Sequence, residues 1–373
     1  MRIAINAIPL LSPLTGIGHY TRQIIRRLRP LSPNYEYLYY YGYFSRRAFC
    51  GSEAAYSLKQ SLFRIPGFKK WLRYAVAHAP RFYGQGFDLY FEPNFIPAAI
   101  RAKKLVITVH DFSFRLFPDA HPKDRIEHFE KNFARGIDRA NHLITDSEYV
   151  RAEAVEVLRF PAEKITAIPL GVEHETFKLR DKNSLDQRRR ELGLPENFIL
   201  FVGTREPRKN LTRLLQAYLE LPARLKRKYF LLLVGPQGWE QAMPRTQGVA
   251  ERVIVSGYLD TEALSCVYNL ARVFVLPSLY EGFGLPPLEA MACGCPVVVS
   301  RVASLPEVCG DAAYYVDPAD VSSIAEGITR VLSDETLRQS LIEKGLKRAA
   351  LFSWDETARK TLDVFERIMG VKG

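Results

Sequence analysis

The chain has 373 residues, 47% hydrophobic and 25% charged, which is more than one core ordinarily holds and too apolar for a disordered or fibrous chain, so two globular domains are expected. Its formal net charge of +11 is uneven: residues 1–104 carry 16 Lys/Arg against 4 Asp/Glu, and the remainder is close to neutral. Five cysteines without a Cys-x-x-Cys spacing argue against a disulfide framework or a zinc site and read as reduced, buried thiols.

Short apolar, β-rich runs recur along the chain with helix-like stretches between them. The first, 3–8, follows a start that lacks a signal peptide's basic, apolar and small-residue regions, and the protein is expected on the cytoplasmic side. Gly16-Ile17-Gly18 comes next, between a strand and a helix, where glycines let the backbone approach a diphosphate. Residues 59–81 interleave Leu62, Phe63, Phe68, Trp71, Leu72 and Tyr74 with Arg64, Lys69, Lys70 and Arg73. That basic amphipathic mixture suits an anionic lipid surface, the bland alternative being a solvated face over a core stripe. No nucleic-acid-binding motif accompanies the charge, and nucleic acid is not expected as a partner. No apolar run reaches membrane-spanning length.

A strand-like run precedes Glu92-Pro93-Asn94 and makes Asn94 a candidate for the acceptor side. Run 105–109 ends at His110-Asp111, and runs 142–145, 165–168, 198–202, 229–234, 253–255, 273–276 and 297–299 follow. Continuous rather than alternating hydrophobicity predicts strands covered on both faces, hence parallel sheets. The polar segment 178–190 interrupts this rhythm and reads as the inter-domain linker. In open parallel sheets ligands collect beyond the carboxyl ends of the strands, where Gly16, Gly18, His110, Arg205, Lys209 and Glu281 all fall.

The run Glu281-Gly282-Phe283-Gly284-Leu285-Pro286-Pro287-Leu288-Glu289 sets two carboxylates on either side of a glycine loop and a proline pair. Proline suits a first helical turn, so a helix from about Pro286 is expected to aim free amides at a diphosphate, with Glu289 on its first turn for ribose hydroxyls and Glu281 for the transferred sugar. Arg205, Arg208 and Lys209 oppose the dipole of the helix that follows them, which a bound anion would explain.

This run resembles the Glu-x7-Glu motif of retaining GT-B glycosyltransferases of family 4 (glycosyl transferases group 1, mannosyltransferase-like), and the likeness covers most of the chain. Thr15 to Tyr20 resembles the family's glycine loop, Val109-His110-Asp111 its sugar-site His-Asp, Leu170-Gly171-Val172 the close of its first domain, and 203–210 its diphosphate loop with Lys209 on the family's lysine. The family often has arginine directly after that glycine; Thr204 stands there, so Arg205 or Arg208 is the substitute. The implied architecture is α/β, two Rossmann-like domains with parallel sheets facing across a cleft. An acceptor domain would span 1–177, a linker 178–196, a nucleotide-sugar domain 197–353 and a helical tail 354–373 that braces the first domain.

By resemblance the chemistry is transfer of a hexose, first mannose or a deoxyhexose from a GDP-sugar, to a saccharide hydroxyl with its anomeric configuration kept. The acceptor would be lipid-linked, in O-antigen or exopolysaccharide assembly, with the enzyme peripheral on the inner face of the cell membrane. Catalytic roles would fall to Glu281, His110 and Lys209, donor contacts to Gly16, Gly18, Arg205, Arg208, Lys209, Phe283, Gly284, Leu285 and Glu289, and acceptor contacts to Asn94 and Asp111. No Asp-x-Asp occurs, so no metal and no cofactor beyond the nucleotide sugar is expected. The alternatives are a sugar-nucleotide epimerase, a phosphorylase, or a non-catalytic nucleotide-sugar-binding protein. An NAD site lacks its last fingerprint glycine, since residue 21 is threonine, and a periplasmic receptor lacks an export signal.

Overall fold

The computed structural model describes residues 1–11, 16–48, 86–239 and 251–371. Thr15 and the basic stretch 59–81 lie outside the described residues. The chain forms two compact units, one of Met1–Phe112, Glu127–Leu170 and Trp354–Gly373, the other of Ser113–Ile126 and Gly171–Ser353.

The strands of the first unit are Arg2–Asn6 (β1), Glu36–Tyr40 (β2), Phe44–Ser45 (β3), Phe87–Glu92 (β4), Ala102–Val109 (β5), His142–Thr145 (β6) and Ile165–Ala167 (β7). They form one sheet in the order β3-β2-β1-β4-β5-β6-β7, parallel apart from the β2–β3 pair at one edge. The second unit holds Phe198–Val202 (β8), Phe230–Val234 (β9), Val253–Gly257 (β10), Val273–Leu276 (β11), Val297–Ser300 (β12) and Ala313–Val316 (β13). These lie in the order β10-β9-β8-β11-β12-β13, all parallel.

Strands β8, β11 and β12 are buried at every residue, as strands with helices on both faces must be. Strand order reverses between β1 and β4 in the first sheet and between β8 and β11 in the second, which opens a crevice beyond their carboxyl ends. Strands β2 and β13, EYLYY and AYYV, are built largely of tyrosine rather than of a continuous aliphatic run, buried in β2 and half-exposed in β13, so apolar continuity alone passes over them.

The helix Trp354–Met369 belongs to the first unit: Phe365 lies 5.1 Å from the Phe91 ring, Thr357 Oγ1 donates to the Pro169 carbonyl at 2.8 Å, and the Tyr35 hydroxyl donates to Glu366 at 2.8 Å. The organisation differs from the sequence expectation at three places. Ser113–Ile126 packs with the second unit, where Trp239 Nε1 donates to the Ala120 carbonyl at 2.6 Å and Phe117 lies 5.4 Å from Tyr280. The first unit's second segment ends at Leu170 rather than 177. The linker segment contains a helix, Lys182–Glu191, started by Asp181, whose side chain accepts from the Ser184 amide at 2.9 Å; a good N-cap lets a polar stretch stay ordered. Among the described residues, no helix is long and apolar enough to cross a membrane. Cys266, Cys293, Cys295 and Cys309 are buried and free, and burial pushes the Cys293 and Cys309 thiols up to about 12.

Candidate functional site

Beyond β8 the chain makes a short turn, Pro207–Lys209, and Asn210 at φ 61 turns it into the helix Leu211–Glu220. Asparagine tolerates this left-handed conformation, and its Nδ2 donates to the carbonyls of Pro277 (2.9 Å) and Pro318 (2.8 Å), tying the turn to the loop after β11. Lys209 is thereby held against Glu281: Nζ donates to Oε1 at 2.6 Å, with both side chains buried. Ser278 Oγ donates to the same oxygen at 2.6 Å. Arg208 reaches Glu281 Oε2 and the Tyr280 carbonyl, each at 3.1 Å, and Glu206 Oε1 at 2.6 Å.

Burial alone would raise the Glu281 carboxyl, yet the Lys209 and Arg208 charges outweigh it and hold the group near 2. Glu281 is therefore a carboxylate at every working pH. Removing the carboxylate would leave the buried Lys209 charge without its partner.

The 281–284 loop is pinned by Ser304, whose hydroxyl shares its one proton between the carbonyls of Glu281 (2.8 Å) and Phe283 (2.9 Å). Gly284 then caps the helix Leu285–Ala292 at φ +109, and a Cβ there would lie 2.9 Å from Leu305 Cδ2, so the position takes only glycine without strain. Pro286 and Pro287 have no N–H, which thins the amide cradle to the donors around Gly284 and Leu285.

In the first unit His110 follows β5 and Asp146 follows β6. His110 Nδ1 lies 2.7 Å from Asp146 Oδ2, and Nε2 lies 2.8 Å from the Pro93 carbonyl. A carbonyl only accepts, so Nε2 carries a proton, and the other proton is shared between Nδ1 and the carboxyl. Burial would lower the His110 pKa, but the Asp146 carboxylate raises it overall. Asp146 Oδ1 is buried without a hydrogen-bond partner. Tyr20 and Phe95 meet the imidazole edge-on at 5.0 and 5.4 Å. Both ring nitrogens are thus engaged within the protein, and the ring is held in place.

Two family models match the chain, Glycosyltransferase Family 4 over residues 15–176 and Glycosyl transferases group 1 over residues 184–348. O-antigen chain mannosyltransferase B of Escherichia coli is 35% identical over 98% of this chain and 100% of its own length. The chain belongs to the group 1 glycosyltransferases. Among solved structures, this glycosyltransferase resembles sucrose-phosphate synthase from Thermosynechococcus elongatus (TM-score 0.73, 21% identity, 100% of both chains). It also resembles Anabaena HepE in complex with UDP-glucose (TM-score 0.71, 18% identity, 97% of this chain and 99% of that one). At such identities the likeness establishes the fold alone, GT-B with two parallel-sheet Rossmann-like domains.

In the glycosyltransferase, Lys209, Arg208 and Glu281 meet directly, with Phe283, Gly284 and Leu285 on the adjoining loop and helix start. Arg205 stands apart: its amide donates to the Pro236 carbonyl at 3.3 Å, and its Nε is buried without a hydrogen-bond partner. Glu289 is not on the first turn, because the helix begins at Leu285 and not Pro286, which moves it one position along to the start of the second turn. There the Tyr268 hydroxyl donates to Oε2 at 3.0 Å and burial lifts its carboxyl to about 7. Gly16 and Gly18 are not a free loop but the opening turn of the helix Gly16–Leu31. Asn94 and Asp111 are half-buried in the first unit; Asp111 follows His110, and Asn94 follows Pro93, whose carbonyl His110 holds.

Sequence reasoning passes over Glu92, Asp146, Glu206, Asn210, Ser278 and Ser304. For Asp146 the signal was present, since Asp146-Ser147 ends a buried strand as His110-Asp111 does. The two serines carry no such signal, because only the folded loops show what their hydroxyls reach.

Proposed function

We propose that this enzyme transfers mannose from GDP-mannose, with retention and without a metal, to a hydroxyl of a lipid-linked saccharide in the assembly of O-antigen or a related polysaccharide. The buried Lys209–Glu281 pair carries the chemical part of this reading. Lys209 keeps two further N–H donors, Arg205 has an unpartnered Nε, and the Gly284–Leu285 amides lie on the adjoining loop, so an anion of high charge is the ligand this group fits. The bond from the anomeric carbon to the phosphate oxygen breaks, its electron pair passes to the diphosphate, and the acceptor oxygen bonds to the same face. The acceptor proton goes to the departing phosphate. Glu281 keeps lone pairs beyond its three contacts for a sugar hydroxyl, whereas His110, with both ring nitrogens engaged by Asp146 and the Pro93 carbonyl, acts by holding the backbone at Pro93 in place. Between the arginine candidates we assign the diphosphate to Arg205, because Arg208 already spans Glu206 and Glu281.

The donor and the pathway rest on the O-antigen relative's mannosyl activity, and the lipid-linked acceptor and peripheral membrane site on the net positive first 104 residues. HepE's complex with UDP-glucose makes UDP-hexoses the second reading. Incubation with GDP-mannose, a GDP-deoxyhexose or UDP-glucose, octyl α-mannoside and EDTA is expected to give an α-linked product from GDP-mannose. A β-linked product, a requirement for Mn²⁺, or turnover of UDP-glucose alone would each overturn the corresponding part. Co-sedimentation with vesicles containing phosphatidylglycerol tests the membrane part, and full recovery in the supernatant rejects it.

A further inference from the structure

Glu92 is fully buried at the end of β4, beside β1 where the first sheet's order reverses, and no part of the proposed chemistry uses it. Its carboxyl is the hub of a closed set of hydrogen bonds. Asn6 Nδ2, from the end of β1, donates to Oε2 at 2.8 Å and Oε1 at 3.0 Å. The Tyr90 hydroxyl donates to Oε2 at 2.5 Å and itself accepts the Ala98 amide at 3.0 Å. The Asn94 amide donates to Oε1 at 3.1 Å. One side chain thus gathers both ends of the turn from 92 to 98.

That turn is under strain and is held from a second side. Phe95 takes φ 52, a conformation an aromatic residue adopts only when its surroundings impose it. Its amide donates to the Thr108 carbonyl at 3.1 Å, while the Pro93 carbonyl accepts from His110 Nε2 at 2.8 Å. The carboxyl and the imidazole therefore grip the two ends of one peptide group, that between Pro93 and Asn94, which fixes where the Asn94 side chain starts. Burial, set against neutral donors from Asn6, Tyr90 and the Asn94 amide, lifts the Glu92 carboxyl to about 8, so a neutral isostere is a fair mimic.

From this geometry we infer that Glu92 is a positioning residue for the acceptor: it fixes the strained turn that aims Asn94 and seats His110 Nε2. The inference rests on the reading of Asn94 as an acceptor-side group. The carboxyl touches no substrate and acts through the backbone of residues 93–95.

The test uses the full chain, with GDP-mannose as donor and octyl α-mannoside as acceptor. Glu92→Ala is expected to raise the acceptor KM roughly tenfold while the donor KM stays within about twofold, since a misplaced orienting group acts on the substrate it orients. Glu92→Gln, which keeps an acceptor for the Asn6 and Asn94 donors, is expected to recover most of that loss. The deciding measurement is the cycle with Asn94→Ala: if Glu92 works through Asn94, the double variant is no worse in acceptor KM than the poorer single one. Multiplying effects, or acceptor and donor KM rising together with a lowered Tm, would show a merely structural role and overturn the inference. Should Glu92→Ala fail to fold, Tyr90→Phe, which removes one bond to the carboxyl, is read in the same cycle. If Asn94→Ala leaves acceptor KM unchanged while Glu92→Ala raises it, the acceptor role of Asn94 falls and this route through it falls as well. If Lys209→Ala remains active, the donor-side reading fails without touching this one.

Discussion

Both sheets place a buried glutamate near the point where strand order reverses, and the two carboxyls behave oppositely. Glu281 meets Lys209 and Arg208, whose charges outweigh burial and take it down to about 2. Glu92 meets Asn6, the Tyr90 hydroxyl and an amide, and burial takes it up to about 8. Topology supplies a similar crevice in each unit, but the neighbouring cations decide its chemistry. A charged cluster can answer a developing negative charge, whereas a neutral one can only hold backbone in place.

The largest break in this comparison is expected from Lys209→Ala, which leaves Arg208 alone to offset the buried Glu281 charge. Turnover should fall by about 10³-fold, and unfolding in urea should show a loss of about 3–5 kcal/mol. Initial rates within a few-fold of wild type would remove Lys209 from the site. A sharper form replaces the pair together: Lys209→Met with Glu281→Leu should regain most of the stability and none of the activity, because buried ion pairs are replaceable in energy but not in function.

The pH dependence of stability should separate the two glutamates by sign. Glu281, depressed below its ordinary 4.5, contributes stability that is present above pH 4.5 and lost as the pH falls towards 2. Glu92, raised above 4.5, contributes stability that is full below pH 4.5 and lost as the pH rises through 8. Unfolding free energies of wild type, Glu281→Gln and Glu92→Gln across about pH 3–9 should show slope differences of opposite sign. Differences of the same sign would end the comparison.

Asp146→Asn, which removes the carboxylate that keeps His110 doubly bonded, should lower kcat by about 10–100-fold with little change in donor KM. The histidine's NMR titration should move to lower pH, and an unmoved titration would deny the pairing. The smallest effect is expected from Tyr268→Phe. Losing one hydrogen bond to Glu289 should cost about 1 kcal/mol in donor affinity or stability and raise the Glu289 pKa further, because that bond lowers it.

Much of the fold is legible in the chain. Runs 142–145, 198–202 and 273–276 match strands residue for residue, because a strand buried on both faces must be apolar throughout. Glu281, Lys209 and His110 are legible because each follows such a strand. Ser278, Ser304 and Asn210 are not, since a serine or asparagine in a loop looks the same whether it faces water or pins a carbonyl.

The sequence by itself determined the layered α/β architecture, the parallel sheets and the side of each sheet on which the chemistry gathers, because hydrophobic periodicity and glycine and proline placement are local properties. Tertiary structure alone decided which arginine was already committed, that the segment Ser113–Ile126 packs with the second unit, and that three buried glutamates spread from about 2 to about 8. A carboxyl's charge depends on what surrounds it in space, and residues 72 positions apart in the chain, such as Lys209 and Glu281, become neighbours only when the sheet brings their loops together.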